Sequence, residues 1–172
     1  MVLTGRKIIE AVRKGEIVIN PFDEAAVNPN SYNYRLGATL RTLESEVVDA
    51  RGKTEYAEHP IPDEGLVLQP GRVYLGTTVE VIGSDRYVPS LIGRSSMGRL
   101  GVFLQISADL GNLGVVHQWT LEIVVCQPVR LYAGMTVGQV SFWMPTGDRT
   151  TTYEGYFGSY SEAVLPRPGQ LN

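Results

Sequence analysis

Cysteine and histidine are nearly absent from this 172-residue chain, which has one cysteine and two histidines. A lone Cys126 excludes an internal disulfide, and just after an apolar strand a buried thiol behaves as a small hydrophobe, in keeping with a reducing, intracellular setting. The zinc deaminases need His-x-Glu followed by Pro-Cys-x-x-Cys. Here His59 lies in His-Pro-Ile and His117 in His-Gln-Trp, so no metal ligands are assigned and no catalytic zinc is expected. His117 reads as a turn or interface residue without a role. A Gly-x-Ser-x-Gly elbow is also missing, which leaves a Ser-His-Asp hydrolase poorly supported. No stretch approaches the ~18 apolar residues of a membrane span. The opening Met1-Val2-Leu3-Thr4-Gly5-Arg6 has no charged region followed by a long apolar block, so a soluble, cytoplasmic protein without a membrane partner is expected. An excess of positive charge is lacking too. Fifteen basic residues are scattered among 18 acidic ones for a net charge of -3, which gives no stripe for a nucleic-acid polymer.

What is present is apolar residue and turn punctuation. At 43% hydrophobic residues the chain buries one core comfortably, so one domain is the default. One segment reads as a helix: Thr4 as N-cap, the stripe Ile8, Ile9, Ala11 and Val12, Lys14 in the last turn and Gly15 as stop. The rest is punctuated like β-structure. Strands are expected at 17–19, 32–36, 39–43, 77–82, 91–92, 102–107, 119–125, 129–132 and 139–144, with a hairpin joining 66–68 to 73–75. The polar region 44–62 reads as a surface excursion. Many short strands with Gly/Pro turns predict an all-β sandwich or barrel. From 150 to 172 aliphatics are few, but Tyr153, Tyr156, Phe157 and Tyr160 suit a tail that folds down over something.

Two features carry chemistry. In Gly93-Arg94-Ser95-Ser96-Met97-Gly98-Arg99-Leu100-Gly101, glycines let backbone N–H groups approach a ligand, serines add donors and arginines supply forked charge matched to phosphate. Taken alone, the segment reads more readily as an ordinary surface turn, since short Gly/Ser/Arg turns are common. Glu122 stands in the apolar run Trp119-Thr120-Leu121-Glu122-Ile123-Val124-Val125, sharing a face with Thr120 and Val124. It is either a barrel-exterior glutamate or a pocket carboxylate. In the second case desolvation raises its pKa toward the range of a base that activates water.

These residues resemble the dCTP deaminase family over most of the chain. The resemblance runs through Gly15-Glu16-Ile17, Asn20-Pro21-Phe22, Asn28-Pro29-Asn30-Ser31-Tyr32-Asn33-Tyr34-Arg35-Leu36-Gly37, Leu68-Gln69-Pro70-Gly71, Tyr74-Leu75-Gly76-Thr77-Thr78, the Arg94 to Arg99 segment, Leu121-Glu122, Gly134-Met135 and Gly138-Gln139. It implies a distorted β-barrel of the dUTPase-like fold with a short N-terminal helix, spanning 1–149, and a C-terminal lid at 150–172. It implies a homotrimer with nucleotide sites between subunits. It also implies dCTP as the substrate, converted to dUTP and ammonia, and magnesium carried in with the triphosphate. On the same basis Glu122, Ser95 and Arg99 are catalytic, Glu122 as acid/base. Arg94, Ser95, Ser96 and Arg99 hold the phosphates, with Met97 and Gly98 in the same substrate-binding segment, while Asn112 meets the deoxyribose, Thr120 and Leu121 contact the base through their backbones, and Gln139 and Tyr153 contact the nucleotide.

Departures qualify the resemblance. Where the family reads approximately Ala-(any)-(Arg or Trp)-Ile-Asp-(Pro or Ala)-Gly-aromatic, this chain has Ala108-Asp109-Leu110-Gly111-Asn112-Leu113-Gly114-Val115. Asn112 replaces an aspartate, and an amide cannot act as a base, which disfavours hydrolysis of dUTP. Asn33 replaces another aspartate. In the tail, Ser159 replaces a phosphate-binding lysine and Ala163 a glutamine. A dUTPase or bifunctional deaminase, and a nucleotide-binding regulator that has lost catalysis, therefore remain as alternatives.

Overall fold

The computed structural model describes residues 1–105, 107–147, 153 and 163. The expected lid at 150–172, with Tyr156, Phe157, Ser159 and Tyr160, lies outside the described residues except for Tyr153 and Ala163. Helix α1 (Gly5–Arg13) starts after Thr4, buries Ile8 and Ala11, and ends before Gly15, whose φ of 71° only glycine adopts without strain. Among the described residues no helix is long and apolar enough to cross a membrane.

Among the described residues eleven strands follow: β1 (Val18–Asn20), β2 (Tyr32–Arg35), β3 (Thr39–Leu43), β4 (Tyr56–Pro60), β5 (Leu66–Leu68), β6 (Tyr74–Gly83), β7 (Val88–Gly93), β8 (Val102–Leu104), β9 (Val116–Val125), β10 (Val129–Leu131) and β11 (Thr136–Trp143). Helix α2 (Ser95–Arg99) sits between β7 and β8. The largest sheet runs β4-β3-β6-β9-β8, with β1 paired to the far end of β6. A second runs β2-β11-β7, and β10 pairs with β5. Every pairing is antiparallel, as short strands joined by turns require. Alternating residues close the core between the sheets, with Tyr34, Leu36, Leu40, Leu121, Ile123, Val140 and Phe142 fully buried. The expected all-β, barrel-like fold is thereby seen.

The β6–β9 ladder positions the site, and it is irregular. Thr77 faces Thr120, yet Val81 already faces Gln118, so β6 carries two extra residues there. Their polar groups are satisfied locally. The Gln118 amide donates to the carbonyls of Thr78 and Val79 at 3.0 and 3.1 Å, and the Thr78 hydroxyl accepts from the Trp119 N–H at 2.9 Å. Glu80, fully buried behind the bulge, accepts from the Arg35 backbone N–H at 2.9 Å and from its guanidinium Nε at 2.6 Å. That hydrogen bond, with the charge attraction behind it, holds Arg35 above the usual guanidinium range although burial opposes it.

Four expectations are corrected. The Gly93 to Gly101 segment is not merely a turn, because Met97 drops into the core and winds 95–99 into α2. The 66–68/73–75 hairpin does not form: β5 pairs with β10, and the two strands expected at 73–75 and 77–82 are one. Gly76 does not break β6, since a Cβ there would lie 2.9 Å from Leu40 Cδ2, and its bareness admits that core side chain. The polar stretch 44–62 contains β4, a sheet edge whose alternation of exposed residues hid it from a hydrophobicity reading. Cys126 is exposed rather than a small buried hydrophobe.

Candidate active site

Strand β9 sorts its side chains by parity. Leu121, Ile123 and Val125 enter the core, while Thr120, Glu122 and Val124 occupy the opposite, half-buried face, as the alternation predicts. Glu122 borders a cavity of about 310 Å³ whose polar lining also includes Gln105, Asn112 and Thr120. Leu75, Leu110 and Val115 supply aliphatic wall, and His117, Trp119 and Tyr153 supply rings. Tyr153 is brought in by its backbone N–H, which donates to the Leu113 carbonyl at 3.4 Å.

Gln105 fixes the carboxylate's strand. Its side-chain oxygen accepts from the Glu122 N–H at 2.7 Å, and its own N–H donates to the Glu122 carbonyl at 3.2 Å. Gln105 is also the one non-glycine with positive φ among the described residues, at 53°. Such a conformation costs on the order of 1 kcal/mol and persists where surrounding bonds enforce it. The glutamine thus locks the backbone of Glu122 from both sides. Among the described residues nothing hydrogen-bonds to the Glu122 carboxylate itself. A carboxylate that borders a cavity is placed to exchange a proton with a bound molecule.

Of the site residues expected from sequence, the cavity gathers Glu122, Asn112, Thr120 and Tyr153. It does not gather the basic segment. Ser95, Ser96 and Arg99 are exposed on α2, Arg94 and Gly98 are half-buried, and Met97 is a core side chain at 3% exposure. Among the described residues that line the cavity there is no lysine or arginine. Leu121 turns its side chain fully into the core, which leaves its backbone alone for any contact. Gln139, on β11, accepts a hydrogen bond from the Ser31 hydroxyl at 2.7 Å and does not border the cavity. Gln105, His117 and Trp119 were missed as site residues. Gln105 had no local signal, whereas the aromatic pair beside Thr120 was visible in the sequence.

A family model described as dCTP deaminase-like matches residues 2–144. The chain belongs to the dCTP deaminase-like family. A protein of Clostridium acetobutylicum named "dCTP deaminase, dUMP-forming" is 43% identical over 172 residues, covering 99% of this chain and 96% of the relative. A "dCTP deaminase" of Rhodopirellula baltica is 45% identical over 148 residues, covering 86% and 74%. The crystal structure of 2'-deoxycytidine 5'-triphosphate deaminase from Agrobacterium tumefaciens superposes with a TM-score of 0.65 at 22% identity, over 84% of this chain and 48% of that one. That likeness bears on the fold. Membership of the dCTP deaminase family makes this chain an enzyme, and among the described residues no group of three or more His, Cys, Asp or Glu is placed to hold a metal.

Proposed function

We propose that this protein hydrolytically deaminates dCTP in the cytoplasm and carries the product on to dUMP. The observation that carries the reading is the Glu122 carboxylate, its backbone locked by Gln105, without a hydrogen-bond partner among the described residues, at the wall of a nucleoside-sized cavity. Glu122 takes a proton from water as the water oxygen bonds to cytosine C4. It returns that proton to the amino nitrogen as the C4–N bond breaks and ammonia leaves. A second water then bonds to the α-phosphorus as the bond to the β-phosphate oxygen breaks and pyrophosphate leaves, giving dUMP, the product in the names of several relatives, instead of the dUTP expected as the end point.

A second reading, deamination that stops at dUTP, is favoured by Asn112. It lines the cavity where the resemblance has aspartate, and an amide cannot deprotonate a second water. Incubation with dCTP, dUTP, dCMP and CTP plus magnesium, with products resolved by chromatography, separates the two. Ammonia with dUMP supports the first reading, ammonia with dUTP the second, and no ammonia from any of them removes both. Magnesium fits as a passenger on the phosphates. Among the described residues the cavity lining offers it one carboxylate, and its contribution when bound is to neutralise phosphate charge.

A triphosphate needs cations, and the described residues of the cavity lining supply none, while Ser95, Ser96 and Arg99 are exposed on α2. We infer a homotrimer in which α2 of one subunit, with Arg94 behind it, completes the Glu122 cavity of the next. Arg99→Ala and Glu122→Gln subunits are then each inactive alone. Co-refolded at equal amounts, they regenerate intact sites at about a quarter of the parental number, since half the subunits supply each working part. Restored ammonia release at that level is the expected result, and none after verified mixing excludes a shared site.

A further inference from the structure

On the nucleotide reading above, we propose that the Trp119 indole, backed by His117, is the surface against which the nucleobase stacks, and that it selects which ring is presented to Glu122. The two rings lie 4.4 Å apart at an interplanar angle of 31°, and both border the cavity that contains the carboxylate. The indole is held at both ends. Its ring N–H donates to the Ile82 carbonyl at 2.9 Å, and its backbone N–H donates to the Thr78 hydroxyl at 2.9 Å within the β6 bulge. His117 is itself fixed, with Nδ1 2.6 Å from the Gln118 carbonyl oxygen. An aromatic surface held this way loses little freedom when a ligand arrives.

A glycine makes room for the edge of the indole. A Cβ on Gly111 would lie 2.6 Å from Trp119 Cη2 and 2.8 Å from Pro89 Cγ, so the absent side chain at 111 is the space into which the ring edge extends. Next to that glycine stands Asn112, with Val115 beyond it, both lining the same cavity. The resemblance has an aromatic where Val115 stands. In this chain the ring that contributes aromatic wall comes from β9 instead, three residues before Glu122, so ring surface and carboxylate share one rigid strand. Gln105, Asn112 and Thr120 supply polar groups around a mostly apolar wall. That combination suits a flat heterocycle with hydrogen-bonding edges.

Trp119 and Trp143 are the two tryptophans of the chain. Trp143→Phe therefore isolates Trp119 as a fluorescent reporter in the full-length protein. Titration with dCTP is expected to quench it saturably, and tripolyphosphate, which has no base, is expected to leave it unchanged. By calorimetry, Trp119→Leu should weaken dCTP about ten- to a hundredfold, the usual cost of removing a base-stacking ring, while tripolyphosphate binds as before. Trp119→Phe keeps a ring and should recover most of the affinity, which separates stacking from misfolding. Heat of dCTP binding without quenching, or equal loss of dCTP and tripolyphosphate in Trp119→Leu, overturns the inference while the deaminase reading stands. If the parent does not turn over dCTP but dUTP, dATP or dGTP quenches Trp119, the deaminase reading fails and the stacking surface stands. Quenching by none of the four overturns the stacking surface.

Discussion

Glu122→Gln is expected to reduce ammonia release from dCTP by about a thousandfold, within the 10²- to 10⁴-fold range that a positioned acid or base contributes. The exchange conserves size and shape, replaces one acceptor oxygen by an NH2 donor, and removes the negative charge together with the ability to take a proton. Because nothing among the described residues hydrogen-bonds to the carboxylate, no partner is orphaned by the change. Gln105 bonds to the backbone of residue 122 and is indifferent to its side chain. The melting temperature should therefore stay close to that of the parent. Binding of dCTP should stay equal or tighten slightly, because a negative charge near an anionic ligand has gone. Ammonia release, calorimetric affinity and thermal unfolding together distinguish a chemical role from a structural one. Activity retained at the parental level takes Glu122 out of the chemistry, and loss of binding or fold makes its role structural.

Local patterns made much of this architecture legible. Thr4, the Ile8 to Val12 stripe and Gly15 mark α1 because start, periodicity and stop follow in order within one short segment, although the Thr4 side chain makes no capping hydrogen bond. The face shared by Thr120 and Glu122 follows from strand alternation alone. Partner choice was less legible. Leu66–Leu68 and the following strand are separated by a good turn, yet β5 is claimed by β10, sixty residues away, because pairing is decided by which apolar faces meet in the core. α2 was obscured by glycines, and its cause is the single buried anchor Met97.

The site divides along the same line. Glu122 and Asn112 stood out because a carboxylate among β-formers and an amide in a motif of known pattern are local anomalies. Gln105 did not, since its role depends on a left-handed backbone and on two bonds to a strand 17 residues distant. His117 and Trp119 were read singly, as a turn histidine and a strand aromatic. Their meaning comes from the bulge in β6, which no pattern in residues 77–81 announces: it brings the Thr78 hydroxyl against the backbone of Trp119.

That bulge should also be the most sensitive point of the fold. Glu80→Ala is expected to destabilise the protein by about 3–5 kcal/mol, the usual consequence of removing one member of a buried ion pair. The lower end is favoured because the Arg35 side chain is 41% exposed and part of its charge can be rehydrated. An arginine cannot shed its proton to escape, and the Arg35 backbone N–H, which donates to Glu80 at 2.9 Å, loses its acceptor as well. Urea unfolding at matched protein concentration reads the loss. A Glu80→Leu/Arg35→Met pair should lose less than Glu80→Leu alone, since removing both charges strands neither. Added salt should change the Glu80→Ala penalty little, because the carboxylate is fully buried and poorly screened. The effect should reach the site even where the variant stays folded. Thr78 donates to the Glu80 carbonyl at 2.7 Å and holds the Trp119 backbone, so a slack bulge lets the β9 register drift beneath both the indole and Glu122. Deamination by folded Glu80→Ala should then fall about tenfold or more, as misplacement of reacting groups by a fraction of an ångström does. Parental activity in that folded fraction would mean that β9 holds its register without the bulge, and that the Gln105 lock suffices.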